Sequence, residues 1–441
     1  MIKFKNLIHT ELAVVVYVAL VVLTPLWKVP SLPAIRLDDI WLLLVAMMMF
    51  VRIGSFKIDP RLLFPFICII TISLMSVVSF IVAGHLDFTF FSVLSTLRLA
   101  VLIYVVSQVS FSVDGMRLLG AAVISTGVVN IGAAIVYYYN IAPFDLMLVK
   151  LFTSAEGYHK YAESLLYIGH MSRAGGTMGN PNYLGVLFAL CMLLSLDKIF
   201  NGKFVSKVFS FLCLIGFAFS IIFFLQSRTG MLIGFASLVT YASVYLVKRG
   251  HVFGYLILIL VPITSVLLMA GAFAFPELLP RRMASVFHAE SFSDIFQESG
   301  LMGSRVEMWT YQLEQIFSQP VTFIFGYMPY APTTTSDNGY IAVFYRSGFL
   351  GLIAYLGLMM FFLKSSVANL MRTPPRAPEL GMRVVVLIFC GMNLLLDLTS
   401  DTVFSAKWSA VAMVFLLIGM REIRGVPIGN TRSATRFNPV Q

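Results

Sequence analysis

The stretch LLFPFICIITISLMSVVSFIVAG, residues 62–84, decides the fold class of this chain. It runs for 23 residues and contains no charged side chain. An α-helix rises about 1.5 Å per residue, so about 20 apolar residues cross the hydrocarbon core of a lipid bilayer. The stretch therefore predicts a transmembrane helix.

The rest of the 441-residue chain has the same apolar character. Hydrophobic residues form 59% of the sequence, charged residues form only 12%, and the mean hydropathy is +0.89. A soluble domain of this length could not bury so much apolar surface. The composition predicts an all-α, polytopic integral membrane protein and excludes a soluble globular fold.

Apolar stretches of similar length recur along the chain, and from them we predict a bundle of 12 transmembrane helices. The predicted spans are residues 10–27, 37–53, 61–84, 88–109, 117–139, 182–199, 204–225, 229–247, 252–275, 337–363, 382–398 and 402–420. They form a single membrane domain, residues 1–420, which is followed by a basic tail, residues 421–441. Two connections are long, about residues 140–181 and 276–336.

An even number of spans places both termini on one side, and the basic residues indicate which side that is. With the termini in the cytoplasm, the cytoplasmic segments hold 19 of the 31 Lys and Arg residues. Because basic residues are enriched in cytoplasmic loops, we predict cytoplasmic termini and place both long loops on the outer face. Orientation and anionic lipid then account for the net charge of +10, and no nucleic-acid partner is predicted.

The second long loop contains SRVEMWTYQLEQIFSQP, residues 304–320, which predicts an amphipathic helix. Ser304 and Glu307 have the spacing of a capping box, and Pro320 is expected to end the helix. The predicted apolar stripe consists of Val306, Trp309, Leu313, Ile316 and Phe317. Such a helix is expected to lie on the membrane surface or over a cavity.

No metal centre or other cofactor is predicted. The six histidines are scattered, and the sequence contains no CxxC or HExxH pattern. The four cysteines fall inside predicted spans, where we interpret them as core residues: Cys68, Cys191, Cys213 and Cys390.

The sequence RAGGTMGNPNYLG, residues 173–185, joins the first long loop to the next predicted span. Asn180 and Pro181 predict a helix start, with asparagine as the N-cap and proline as the first helical residue. Helix N-termini present free N–H groups and a partial positive charge, which together favour phosphate. Arg173 lies just upstream, so we take Arg173, Asn180 and Asn182 as candidate substrate-binding residues.

Two more arginines lie at outward-facing helix starts, Arg228 in QSRTG and Arg305 in GSR. Arginine suits phosphate because its guanidinium donates two parallel hydrogen bonds and keeps its charge. We therefore take Arg228 and Arg305, with Arg173, as candidate phosphate-binding residues. The alternative is that each arginine is an interface anchor, since arginines near span ends commonly extend to the lipid headgroups.

A further polar stretch, TTTSDNGYIAVFYRSGFLG, residues 333–351, begins the tenth predicted span. Asp337 is a candidate to orient or deprotonate an attacking hydroxyl, and an N-cap is the alternative role for it. Asn338 and Tyr340 are candidates to hydrogen-bond a sugar.

Arg98 lies deep in the fourth predicted span, where a charge is costly and is commonly functional or paired. We include it among the candidate substrate-binding residues. Its expected partner is Asp397 or Asp401, near the outer end of the last two spans.

The order of these motifs resembles the O-antigen ligase and polymerase superfamily. The resemblance rests on R-x-x-G with NPN-x-LG, then QSRTG, GSR-x-E-x-W, P-x-x-x-x-FG, and DN-x-Y with G-x-x-G, and it covers residues 173–351. The flanking spans are similar only in number and hydropathy. The resemblance implies a GT-C-like bundle of about 12 helices with a large periplasmic loop.

The resemblance also implies a glycosyltransferase of the bacterial inner membrane that works without a metal ion. Its donor and acceptor would be undecaprenyl-diphosphate-linked oligosaccharides, and chain-length regulator and flippase proteins would be partners besides the lipid bilayer. Arg173, Arg228 and Arg305 would bind the diphosphate. Our hypothesis from the residues themselves takes Asp337, Arg228 and Arg305 as the catalytic residues.

One position departs from the ligase pattern. Ligases that attach glycan to lipid A-core typically have a histidine before the asparagine, whereas this chain has Asp337 before Asn338. The departure favours a polymerase of O-antigen or exopolysaccharide repeats, with a ligase as the alternative. A 12-span solute or lipid-glycan transporter is the alternative of another class, although we find no repeat relating the two halves of the sequence.

Overall fold

The computed structural model describes residues 2–25, 36–54, 57–84, 90–152, 174–250, 303–327, 338–398, 400 and 405–420. For residues 2–10, 90–95, 228, 303–306 and 406 it describes the backbone alone. Every helix or strand element within these ranges is helical. The all-α fold class predicted from the composition is confirmed for this part of the chain.

The described α-helices are numbered here in chain order. They are α1 (Ile2–Leu23), α2 (Leu37–Ile53), α3 (Leu63–Val82), α4 (Phe90–Gln108), α5 (Val113–Tyr138), α6 (Phe144–Phe152), α7 (Pro181–Asn201), α8 (Phe204–Ser220), α9 (Arg228–Lys248), α10 (Gly303–Phe317), α11 (Pro320–Phe325), α12 (Gly339–Arg372), α13 (Leu380–Leu396) and α14 (Ala406–Gly419). A π-helical turn, Ile221–Leu225, extends α8, and short 3₁₀ turns occupy Pro60–Leu62 and Gly176–Met178.

Six helices in the described ranges are long and apolar enough to cross a membrane: α3, α5, α7, α8, α9 and α12, with the adjoining turns of α3 and α8. Shorter apolar segments occur in α1, α4, α13 and α14. Each predicted span overlaps one of the described helices except residues 252–275, which lie outside the described residues. The chain is therefore a helical membrane protein, and the number of 12 spans stays a prediction.

From α7 to α9, helices that follow one another in the chain run in opposite directions. We call the end of the bundle that holds the first residues of α7, α9 and α12 end A, and the opposite end, which holds their last residues, end B. At end A, the N–H of Ala174, ahead of α7, donates to Phe224 O at the end of α8 over 3.1 Å. At end B, Lys248 Nζ donates to Met371 O over 3.1 Å, which joins the ends of α9 and α12. These contacts fit a chain that crosses back and forth.

Helix α7 is the central helix of the described bundle. Its residues 184–195 are all buried, and it packs against α5, α8, α9 and α13. A helix surrounded by protein needs no polar face, which explains why its sequence is apolar on every side. The surrounding helices hold the N-terminus of α7 in a fixed position at end A.

Helix α12 is interrupted at Gly348, whose φ of 65° and ψ of −170° are not helical. Gly326, which follows α11, has a φ of 89° and packs against the interruption. A β-carbon on Gly326 would lie 2.7 Å from Gly348 N, so the close approach requires glycine. Tyr345 O accepts a hydrogen bond from the Tyr327 N–H over 2.7 Å. The sequence prediction of one continuous span over residues 337–363 did not include this break.

The predicted amphipathic helix is present as α10, which packs against α11 and α12. Ile316 is fully buried, and so is Gln312 on the same face. Phe317 is 62% exposed, and its ring packs against Phe323 and Phe344. Pro320 is the first residue of α11 and thus begins a second helix after α10 has ended.

Candidate functional site

Residues 174–180 lead into α7 at end A and lie largely inside the bundle. Ala174 and Thr177 are buried, and the Ala174 N–H is bonded to the end of α8. Gly176 and Gly179 have φ values of 52° and 72°, which favour glycine. The glycine-rich part of the motif is therefore a fixed, buried turn.

Asn180 and Pro181 begin α7 as predicted. The Asn180 side chain is the N-cap and accepts the Asn182 N–H over 2.8 Å. Asn182 Oδ1 accepts from Ser227 Oγ over 3.2 Å, and Asn182 Nδ2 donates to Ser400 Oγ over 3.4 Å. Both asparagine side chains thus organise the helix start, and Asn182 also joins it to two other segments.

The start of α9 lies beside the start of α7. Ser227 is the N-cap of α9, accepting the Gly230 N–H over 3.1 Å, and Arg228 is the first helical residue. A β-carbon on Gly230 would lie 2.9 Å from Gly185 Cα. Small residues let helices approach closely in membranes, and here they let two parallel helix N-termini meet.

We expect Gly230→Ala to destabilise the protein by about 1–3 kcal/mol, because the added methyl group overpacks the contact with Gly185. The matched control is Gly132→Ala in α5, where an added β-carbon meets nothing within 4 Å. Alanine is the better helix former, so the control is expected to be neutral or slightly stabilising. The measurement is the thermal unfolding midpoint of both purified variants in the same detergent. Equal midpoints for the two variants would contradict the close approach.

The start of α12 is the third helix start at end A. Asn338 is its N-cap and accepts the Ile341 N–H over 3.1 Å. The Tyr340 hydroxyl donates to Leu394 O, near the end of α13, over 3.0 Å. Both predicted sugar-binding residues therefore make contacts that fix α12 against α13.

The connection between α13 and α14 joins the starts of α7 and α12. Asn338 Nδ2 lies 3.5 Å from Leu398 O, and Ser400 accepts from Asn182, as described above. Leu398 and Ser400 are two residues apart in the chain. We call these three linked helix starts, residues 180–182, 227–228 and 338–339, the three-helix site.

The three-helix site favours an anion. Each helix N-terminus directs free N–H groups and the positive end of its dipole towards the same end of the bundle. Such ends bind phosphate and carboxylate groups. Within the described ranges, no group of three or more His, Cys, Asp or Glu side chains could hold a metal ion. All four cysteines are buried free thiols, which confirms their prediction as core residues.

The side chains of four predicted site residues lie outside the described part of the structure. Arg173 and Asp337 lie outside the described residues. Arg228 is the first residue of α9 and Arg305 the third residue of α10, and only their backbone is described. The convergence of the three guanidinium groups therefore stays a prediction.

Arg98 makes its contacts away from the three-helix site. Its Nη1 lies 3.5 Å from Asp39 Oδ1, and its Nη2 donates to Ser409 Oγ over 3.3 Å. The predicted pairing with Asp397 is wrong, because α4 packs beside α2, which carries Asp39. The other predicted partner, Asp401, lies outside the described residues.

A second buried ion pair lies at the end of α1. Arg36 Nε and Nη2 each lie 2.8 Å from an oxygen of Asp38, and Nη2 also donates to Val21 O over 3.2 Å. Burial, together with the charge of Arg98, lowers the pKa of Arg36 from its ordinary value, and Asp38 acts in the opposite direction. A cation suits this place because the C-terminal carbonyls of a helix carry partial negative charge.

The sequence analysis did not identify three residues whose hydrogen bonds join different segments at end A: Ser227, Ser400 and Lys407. Ser227 has a visible signal, since serine before Arg228 is a good N-cap. Lys407 is a charge inside a predicted span, which is a general indication of function or pairing. Ser400 has no signal in the sequence, because its contact with Asn182 depends on how distant helices pack.

No protein-family profile and no curated protein sequence matches the chain.

Proposed function

We propose that this protein is a glycosyltransferase that polymerises undecaprenyl-diphosphate-linked oligosaccharide repeat units into O-antigen or exopolysaccharide at the periplasmic face of the bacterial inner membrane. The observation that carries the proposal is the three-helix site. Three motifs far apart in the sequence supply three helix N-termini at one end of the bundle: those of α7 and α9 are in direct contact, and that of α12 is linked to α7 through the connection after α13. A diphosphate is an anion that such a site favours.

In the proposed reaction, a hydroxyl oxygen of the acceptor glycan attacks the anomeric carbon of the donor. The bond between that carbon and the diphosphate oxygen breaks, and the lipid diphosphate leaves with the electron pair. Asp337 accepts the proton of the hydroxyl. Arg173, Arg228 and Arg305 hold the diphosphate and stabilise the charge that develops on it. Because diphosphate leaves readily, correct placement of the reactants supplies much of the acceleration.

The asparagines and Tyr340 support this site indirectly in the proposal. Asn180 and Asn338 cap two of its helices, and Asn182 joins the start of α7 to the start of α9 and to the connection between α13 and α14. Tyr340 is bonded to α13. These contacts fix the helix starts, so we assign the four side chains to positioning the site, beside their predicted contacts with substrate.

The basic residues support an orientation with end B in the cytoplasm. Lys248, Arg249, Arg372 and Arg383 lie at the ends of α9 and α12 and near the start of α13, all at end B. Basic residues are enriched on the cytoplasmic side. The three-helix site would then face the periplasm, and both termini would lie in the cytoplasm.

The decisive experiment incubates the purified protein with one defined undecaprenyl-diphosphate-linked repeat. We expect a ladder of longer lipid-linked glycans and release of one undecaprenyl diphosphate for each new bond. Matched reactions with lipid A-core as acceptor identify a ligase if product forms only there. Failure to form any product from either acceptor would overturn the proposal.

A transporter is the second candidate, and the interruption of α12 at Gly348 favours it, because broken helices are typical of transporters. A deletion strain separates the two functions. Loss of a polymerase leaves single repeats on the periplasmic side, whereas loss of a transporter leaves them in the cytoplasmic leaflet. Periplasm-specific labelling of the accumulated lipid-linked repeats is the measurement.

A further inference from the structure

Lys407, in the first turn of α14, is buried among backbone carbonyls at end A. Its Nζ lies 2.6 Å from Thr177 O, 2.9 Å from Thr24 O and 3.3 Å from Val22 O. An ammonium group has three protons, and these three carbonyls can accept all of them. Val22 belongs to the last turn of α1, where a helix leaves carbonyls without internal partners. Thr177 belongs to the buried turn that leads into the three-helix site.

Among the residues that the structure describes, no carboxylate contacts Lys407. The ion pairs in the described part of the chain join other residues. The centre of the Phe152 ring lies 4.7 Å from Lys407 Nζ, and the Lys407 side chain is buried. A charge buried in this way is costly, and a neutral donor would also have satisfied backbone carbonyls. Burial of a lysine at this place therefore marks Lys407 as a candidate functional residue.

Asn130, in α5, holds Thr177 from the other side. Its Oδ1 accepts the Thr177 N–H over 2.9 Å, and its Nδ2 donates to Thr126 O over 3.0 Å. Thr177 Oγ1 lies 2.7 Å from Val22 O and 2.9 Å from Asn130 Oδ1. Asn130 thus fixes the N–H of Thr177, and Lys407 fixes its carbonyl. The backbone between Arg173 and Asn180 is held at its middle residue by two buried polar side chains.

We propose that Lys407 is a positioning residue for the diphosphate site. It fixes Thr177, and through Thr177 it sets the backbone that connects Arg173 to the start of α7. This inference rests on the proposed function, because the ligand it serves is the diphosphate of the lipid-linked glycan.

The test compares Lys407→Met with Lys248→Met. Lys248 also donates to a backbone carbonyl, but it lies at end B, so it controls for loss of a lysine. We expect kcat/KM for the lipid-linked repeat to fall by about 10- to 100-fold in Lys407→Met, since small misplacements of a site cost that much. We expect Lys248→Met to keep the wild-type value and Lys407→Arg to recover part of the loss. Wild-type kcat/KM in folded Lys407→Met would overturn the inference.

Thr177→Val replaces the side-chain hydroxyl by a methyl group and so removes the contacts of Thr177 Oγ1 with Val22 O and Asn130 Oδ1, which tests the fixation of Thr177 if Lys407→Met does not fold. We expect a smaller loss of kcat/KM with an unfolding midpoint near that of the wild type. Unchanged kcat/KM in this variant would contradict the role of Thr177 in positioning the site.

A double variant separates positioning from general damage. If Lys407 acts through the segment that follows Arg173, then adding Lys407→Met to Arg173→Ala should cost little further activity, because coupled residues are not additive. If the fold-loss of activity in the double variant equals the product of the two single losses, Lys407 acts independently of Arg173.

Binding of farnesyl diphosphate, followed as a shift in the unfolding midpoint, provides a readout apart from polymerisation. We expect it to stabilise the wild type and Lys248→Met, but not Lys407→Met. Binding that is equal in all three proteins would overturn the inference about Lys407. A different combination would overturn only the proposed function: the wild type binds farnesyl diphosphate but elongates no glycan, and Lys407→Met does not bind farnesyl diphosphate.

Discussion

Replacing Arg228 by alanine is expected to lower polymer formation by about 100- to 1000-fold, the usual cost of removing one preorganised donor from a developing anion. Arg228 begins α9, next to the Ser227 cap and the start of α7. Its loss removes a charge that no backbone N–H can replace. The measurement is the rate of elongation of an undecaprenyl-diphosphate-linked repeat by equal amounts of folded protein.

The substitution should leave the fold intact. Alanine is a good helix former, and the Ser227 cap does not depend on the side chain at the next position. Arg117→Ala is the matched control, since Arg117 is 65% exposed near the start of α5 at end B. Arg228→Lys should fall between alanine and the wild type, because lysine keeps the charge but cannot donate bidentately. Wild-type chain lengths made by Arg228→Ala would rule out the proposed role.

The sequence predicts the helices well because their cause is local. An apolar run such as residues 62–84 must form a helix in lipid, where every backbone N–H and C=O needs an internal partner. Helix starts are local as well, which is why Asn180 and Asn338 are found as N-caps. The alternation of helix directions follows from the short connections between the spans.

The contacts between helices could not be predicted, because they depend on packing between distant parts of the chain. Lys407 and Thr177 are 230 residues apart, and nothing near either residue indicates the other. The pairing of Arg98 was predicted wrongly for the same reason. The depth of Arg98 in the predicted span limits which carboxylates can pair with it. The packing of α2 beside α4 determines that the partner is Asp39.

The pair of Gly326 and Gly348 shows how a local motif and a distant contact combine. Each glycine is visible in the sequence, one in P-x-x-x-x-FG and one in G-x-x-G. The structure shows why both are glycine, since each backbone occupies the space that a β-carbon on the other would need. The segment after α11 thereby fixes the place at which α12 is interrupted.

Gly348→Ala is expected to destabilise the protein by about 2–6 kcal/mol, because strained backbone and overpacking each cost about 1–3 kcal/mol. The φ of 65° and ψ of −170° at this residue belong to a region that is essentially restricted to glycine. An added β-carbon would also collide with the Ile324 carbonyl oxygen and Gly326 N. The thermal unfolding midpoint and the yield of monodisperse protein in detergent measure the effect.

Two further variants make this prediction specific to the contact. Gly391→Ala in α13 adds the same methyl group where nothing lies within 4 Å, and it should be neutral or slightly stabilising. Gly326→Ala should reproduce much of the damage, because Gly326 has a φ of 89° and packs against Gly348. The double variant Gly326→Ala, Gly348→Ala should lose less than the sum of the single losses, since the first substitution already breaks the contact that the second would break. Additive losses would show that the two glycines act at separate places.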